Sequence, residues 1–493
     1  MQMGFDNDRY IELQAMRIRE RINQFGGKLY LEFGGKLLDD YHASRVLPGF
    51  APDSKARMLQ ELADEAEVVF AINANDIEQG KRRSDIGISY DEDVLRLMDV
   101  FRSRGLAIGG VVITRFSGQP KAEAYQARLA QMGIAVYRHY PISGYPSNID
   151  LIVSDEGFGR NEYVKTHKPL VVVTAPGPGS GKLAVCLSQL YNEHAHGVGA
   201  GYAKFETFPV WNLPLKHPVN VAYEAATADL DDNNIIDPYH LEAYGEVTVN
   251  YNRDVETFPV LKAMMEKILG SSPYQSPTDM GVNMVGLCIS DDEACQNAAR
   301  EEIVRRHYSC AEAIARTGQG EEELSRIGLL MKEVGVDENY DPAHAAALLK
   351  EEVTGKPAGA MRLPDGSVVT GKTSDLLGAA ASLLLVALKR VAGVEKDRWV
   401  VSDEALAPIS RLKTEHLKSR NPRLHSDETL IALSISSATN PEAKRVIDST
   451  RALRGCTAYF SVIISPTDER VYRKLGINVC CEPKFERGTF YHR

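Results

Sequence analysis

The chain has 493 residues, with 57 Lys and Arg against 67 Asp and Glu and a formal net charge of -10. This balance excludes a protein built to wrap nucleic acid, which needs clustered basic residues to displace counterions, and the length suggests about three domains at roughly 150 residues each. Hydrophobic residues at 44% and charged residues at 25% describe a packed globular body, no apolar run reaches the roughly 18 residues of a membrane span, and seven cysteines at irregular spacings fit a reducing compartment better than a disulfide framework.

The first segments show no apolar core of signal-peptide length, so a cytoplasmic location is expected. "VVFAIN" at Val68 to Asn73 predicts a buried strand, "DEDVLRLMDVFRSRG" an amphipathic helix ending at Gly105, and "GGVVITR" a strand again. "KAEAYQARLAQMG" predicts the next helix and "IAVYRHY" the strand after it. Strands separated by helices imply βαβ units and a mainly parallel sheet covered on both faces, with ligands beyond the carboxyl ends of its strands.

"LVVVTAPGPGSGKLAV" follows at Leu170 to Val185. Leu170 to Val173 reads as a strand buried on both faces. Gly177, Gly179 and Gly181 then alternate with Pro178 and Ser180, and helical spacing resumes at Lys182. Strand, glycine turn and helix together aim free backbone N–H groups and the positive end of a helix dipole at an anion.

The turn matches neither nucleotide fingerprint in full. In the frame G-x-x-x-x-G-K-[ST], Gly181 and Lys182 fit, but Pro176 takes the leading glycine's place and Leu183 the Mg²⁺-binding hydroxyl's. Two readings stay open: a phosphate cradle formed by Gly177, Gly179, Ser180, Gly181 and Lys182, or a tight turn with no ligand.

Beyond the polar helix end at Glu193, His194 and His196, long irregular segments are expected from Val210 onward. They include Lys216, His217, Asp229, Asp231, Asp232, Asp237 and His240. Asp231, Asp232 and Asp237 are candidate ligands for a divalent ion, and His217 and His240 candidate acid–base groups, although Asp and Asn are also what turns are made of.

Helical spacing dominates from Asp291 to Glu352, and a hairpin turning at Pro364, Asp365 and Gly366 comes next. "GSVVTGKT" at Gly366 to Thr373 satisfies the nucleotide-loop pattern letter for letter, but Ser367 to Thr370 is itself a strand candidate. A helix start at Thr373 or Ser374 is the simpler expectation, with a phosphate contact from Lys372, Thr373 or Ser374 as the alternative. The tail predicts a strand at "TAYFSVIIS", a helix at "PTDERVYRKLG" and a strand at "GINVCCEP", where Cys480 and Cys481 read as core thiols.

Together "APGPGSGKLA", "FPVWNLPLKHPVNVAYEAATADL", "NRDVETFPVL", "SPTDMGVNM" and "GKTSDLLGAAASLLL" resemble a widespread domain-of-unknown-function family of cytosolic bacterial proteins of about this length. The resemblance implies an N-terminal α/β domain, a helical insertion, and a C-terminal α/β subdomain similar to the cytidine-deaminase-like fold. It implies no reaction, and no H-x-E followed by P-C-x-x-C, the zinc-site signature of deaminases, is present here.

The expected architecture is α/β: a mainly parallel three-layer sheet domain at 1–285, a helical subdomain at 286–356 and a smaller α/β subdomain at 357–493. The expected function is an enzyme for a nucleotide, with Mg²⁺, or for another small phosphorylated ligand, performing phosphoryl or other group transfer with Lys182 neutralising charge. The alternative is a non-catalytic anion-sensing or assembly protein. A homo-oligomer is compatible with either, but no segment specifies one.

Overall fold

A computed structural model describes residues 3–34, 36–83 and 87–486. The chain divides into two compact units, one formed by Met3–Tyr223 with Asp231–Cys295 and the other by Glu224–Leu230 with Gln296–Arg493.

The first unit is built on seven strands: β1 (Leu29–Phe33), β2 (Ala66–Asn73), β3 (Ala107–Thr114), β4 (Val136–Arg138), β5 (Leu170–Thr174), β6 (Gly201–Phe205) and a short edge strand, Gly281–Val282. Their order is β4-β3-β2-β5-β1-β6 and then the edge strand, and every pairing is parallel. β2 and β5 are buried along their whole length, as the apolar runs predict. From β2 the chain moves outward to β3 on one side, whereas from β5 it moves to β6 on the other. The carboxyl ends of β2 and β5 therefore flank a topological switch point, where such sheets open a crevice.

One sheet face packs against the helices Lys182–Ala195 and Asn252–Leu269, joining Tyr30, Val171, Val173 and Tyr202 to Val185, Leu190, Phe258 and Met265. The second of these helices corrects the irregular stretch expected from Val210. "NRDVETFPVLKAMMEKIL" is helical across all 18 residues despite Pro259, whose missing N–H normally breaks the pattern, because Val255, Phe258, Leu261, Met264, Met265 and Ile268 bury one stripe. The rest of that stretch contains the helices Pro218–Ala226 and Pro238–Tyr244 and a small antiparallel pair, Asn234–Ile236 with Val249–Tyr251.

The second unit carries a four-stranded mixed sheet. Ala358–Arg362 pairs antiparallel with Val368–Lys372 and with Thr457–Phe460, and the last of these pairs parallel with Asn478–Cys481. The helices Glu321–Glu333 and Pro342–Thr354 precede it. The hairpin turns where expected: Gly366 takes φ +82 and its N–H donates to the Leu363 carbonyl. The expected helix start at Thr373 or Ser374 is corrected, because the helix begins at Ala379. Ser374 instead closes a local turn, its hydroxyl accepting from Leu377 N–H at 2.9 Å. Cys480 and Cys481 are buried in the core.

Candidate functional site

The glycine turn lies at the carboxyl end of β5, beside the switch point, and the helix begins at Lys182. Its shape is fixed from its neighbours on the sheet. Thr114 at the end of β3 donates its hydroxyl to the Ser180 carbonyl at 2.8 Å, and Asn73 at the end of β2 donates to the Gly179 carbonyl at 3.4 Å. The buried Ser180 hydroxyl donates back to the Gly177 carbonyl at 2.9 Å. With three carbonyls occupied in this way, the N–H groups remain as the turn's free backbone valence.

The glycines are required by contact and by conformation. A Cβ on Gly177 would collide with the Tyr90 hydroxyl, and one on Gly181 would lie 3.2 Å from Thr114. Gly179 and Gly181 adopt φ +76 and +89, a region costly for residues with a side chain. Gly181 is the N-cap residue and no side chain caps the helix. The N–H groups of Lys182, Leu183 and Ala184 thus lack an intrahelical acceptor, the condition under which a helix start attracts an anion.

Two cations stand at this end of the sheet. Lys182 is half-buried at the first helical position, and the exposed Arg115 directly follows Thr114 in a left-handed conformation, φ +53. Among the described residues neither side chain forms a hydrogen bond or ion pair with another.

The other sequence candidates are engaged with local partners of their own. His217 faces Asp292 Oδ1 at 3.0 Å with Nε2, and its Nδ1 accepts from Val219 N–H at 3.3 Å. His240 pairs through Nδ1 with the Ser276 hydroxyl at 2.8 Å. Asp237 is a helix cap: one oxygen accepts from the N–H groups of Tyr239 and His240, the other from the N–H and hydroxyl of Thr278. Asp232 pairs with Arg253 at 2.5 Å, and Asp231 occupies a left-handed turn. Among the described residues no group of three or more His, Cys, Asp or Glu side chains converges as a metal site. Lys372 and Thr373 belong to the second unit, where Lys372 ends a hairpin strand and Thr373 donates its N–H to the Pro357 carbonyl.

Sequence reasoning missed a second polar group, at the carboxyl ends of β1 and β6. In register, Glu32 opposes Val173 of β5 on one side and Lys204 of β6 on the other. Tyr202 donates its hydroxyl to Glu32 Oε2 at 2.9 Å. The Lys204 ammonium pairs with Asp254 and donates to Tyr251, and it lies 3.2 Å from Glu206 Oε1. Burial works against that ammonium, but Asp254, Tyr251 and Glu206 outweigh it and hold its pKa well above the usual lysine value. Burial also pushes Glu206 up to about 8; Lys204 opposes this and Asp254 reinforces it. Glu206 Oε1 is buried without a hydrogen bond, the Lys204 contact being misaligned for one. The available signal was a charged residue inside an otherwise apolar strand, in "LYLEF" and again in "GYAKF".

Among the described residues no helix is long and apolar enough to cross a membrane. The N-terminal domain of unknown function DUF1846 matches residues 3–335, and its C-terminal counterpart matches 339–491. A UPF0371 protein of Corynebacterium diphtheriae is 55% identical over 492 residues, covering 100% of this chain and 99% of that protein. A UPF0371 protein of Corynebacterium urealyticum is 54% identical with the same coverage, and one from Streptococcus pneumoniae serotype 19F is 54% identical over 490 residues, 99% of each chain. The chain therefore belongs to the bacterial UPF0371 family, built from the N- and C-terminal DUF1846 domains of unknown function.

Proposed function

We propose that this protein is an enzyme that binds a nucleotide or another phosphorylated metabolite at the turn 177–182 and transfers a group from it, phosphoryl transfer being the favoured reaction. The observation carrying this reading is the uncapped helix start at Lys182, held open at the switch point while Asn73 and Thr114 occupy the turn's carbonyls. Backbone N–H groups from Gly179 to Lys182 would hold the phosphate, and Lys182 with Arg115 would neutralise the charge that builds in the transition state. In such reactions catalysis is largely positioning and charge stabilisation, which this arrangement would supply without a covalent intermediate.

The test is a thermal-shift screen of nucleotides, sugar phosphates and inorganic phosphate against the native protein and Lys182→Ala. A ligand at about 100 times its dissociation constant adds roughly 2.7 kcal/mol of stability. A phosphate compound should raise the melting temperature of the native protein and not of the variant. If no phosphate compound shifts the native protein, the proposal fails.

A further inference from the structure

We propose that the carboxyl ends of β1 and β6 form a second half of the same site, in which Glu32, Lys204, Glu206 and Asp254 hold the hydroxyl-bearing part of a phosphorylated polyol whose phosphate sits on the glycine turn. This rests on the turn binding phosphate, and it adds the substrate class.

The sheet sets the geometry. β5 and β6 are separated only by β1, so their carboxyl ends are about 10 Å apart at two strand spacings. That span suits a phosphorylated five- or six-carbon sugar lying across the end of β1. Glu32 stands midway, level with Lys204, and only its Oε2 accepts from Tyr202. Among the described residues Oε1 has no hydrogen-bond partner and is free for a ligand hydroxyl. Electrostatics joins the two halves: Glu32 acts on Lys204 on one side, and on the other both Glu32 and Lys182 act on the buried Cys186 thiol.

The group at β6 is costly as mere scaffolding. Lys204, Glu206 and Asp254 are each largely withdrawn from water, and Glu206 Oε1 lacks a hydrogen bond. The fold makes room for this carboxyl: a Cβ on Gly281 would lie 2.7 Å from Glu206 Oε2. The helix starting at Asn252 brings Asp254 in its first turn, and no side chain caps that helix either. Two uncapped helix starts thus meet one sheet face, one beside the phosphate and the other beside the polyol. Desolvated charged groups with a specific partner, at the ligand-binding end of a parallel sheet, are the usual marks of a site and not of a core.

A sugar hydroxyl offers what this group lacks. Its one proton can go to Glu32 Oε1 or to Asp254 while its oxygen accepts from the Lys204 ammonium or from a protonated Glu206, and a second hydroxyl of the polyol can serve the other carboxylate. An apolar phosphate ester would leave those groups unsatisfied, so the site discriminates against it.

The experiment is isothermal titration of the full chain with inorganic phosphate, ribose 5-phosphate, glucose 6-phosphate and glucose 1-phosphate. It is run on the native protein, Lys182→Ala, the isosteric Glu32→Gln, and Asp254→Asn as a second variant should Glu32→Gln misfold. At least one sugar phosphate should bind about tenfold or more tighter than inorganic phosphate. Glu32→Gln or Asp254→Asn should remove that preference while leaving the inorganic phosphate affinity within about twofold. Equal affinities for inorganic phosphate and all three sugar phosphates, or a preference that survives both variants, would overturn the polyol half while the turn reading stands. Absence of phosphate binding, or binding indifferent to Lys182→Ala, would overturn the turn reading and this proposal with it.

Discussion

Replacing Glu206 by glutamine tests the electrostatics of the β6 group directly. Burial, reinforced by Asp254 and opposed by Lys204, raises the pKa of Glu206 from 4.5 to about 8. Between those values the folded chain holds a proton that the unfolded chain has released. Stability from this group is therefore fully present below about 4.5 and is lost as the pH rises through about 8. One proton limits the slope to about 1.4 kcal/mol per pH unit. Glutamine keeps the shape and cannot titrate, so the native protein should lose about 2 kcal/mol relative to Glu206→Gln between about pH 5.5 and 7.5. Comparing the two proteins cancels the pH dependence they share. Of the two tryptophans, Trp211 belongs to the same unit as Glu206 and donates its indole N–H to the Asn283 carbonyl. With the exposed Trp399 changed to phenylalanine, Trp211 fluorescence in urea reports unfolding of that unit alone. Parallel stability–pH curves for the two proteins would refute the reasoning.

Three further outcomes are expected. Gly177→Ala should cost about 1–3 kcal/mol, because the new methyl displaces Tyr90 from a packed position; denaturant midpoints check this, and a neutral effect would mean that the turn is looser than described. Lys182→Ala should leave unliganded stability within about 0.5 kcal/mol, since the ammonium forms no ion pair among the described residues; a larger loss in thermal melts would assign Lys182 a scaffolding role. Asp237→Ala should destabilise by about 2–3 kcal/mol through the lost helix cap and the stranded Thr278 donors. It should leave the protein's response to Mg²⁺ in the same melts unchanged, and a Mg²⁺ shift abolished by the substitution would restore the carboxylate to a metal site.

The architecture was legible where burial is complete. The apolar runs Val68 to Asn73 and Leu170 to Val173 specified inner strands, and the glycine turn between β5 and its helix could be read from residue type alone. Legibility failed where tertiary packing overrides local pattern. β1 and β6 carry Glu32 and Lys204 inside apolar runs, which weakens the strand signal at the positions that form the second polar group. Pro259 concealed an 18-residue helix that its buried stripe sustains. The candidate histidines and aspartates were chosen by residue type within one stretch of sequence. The fold instead brings together carboxylates from β1, from the residue after β6 and from the helix at Asn252, distant in sequence and adjacent only through strand order. In the second unit the letter-perfect nucleotide pattern is a hairpin strand, Val368–Lys372, with Gly371 packed against the helix backbone at Leu383.

The proposed phosphate site is the turn from Gly177 to Lys182. Its most direct test is a crystal structure of the protein soaked in tungstate, an electron-dense phosphate analogue. One strong peak is predicted at the turn, with the tungstate oxygens within about 3 Å of the N–H groups of Gly179 to Lys182, in reach of the Lys182 ammonium and lost in Lys182→Ala crystals. Tungstate bound only elsewhere, with that helix start left bare, would contradict it.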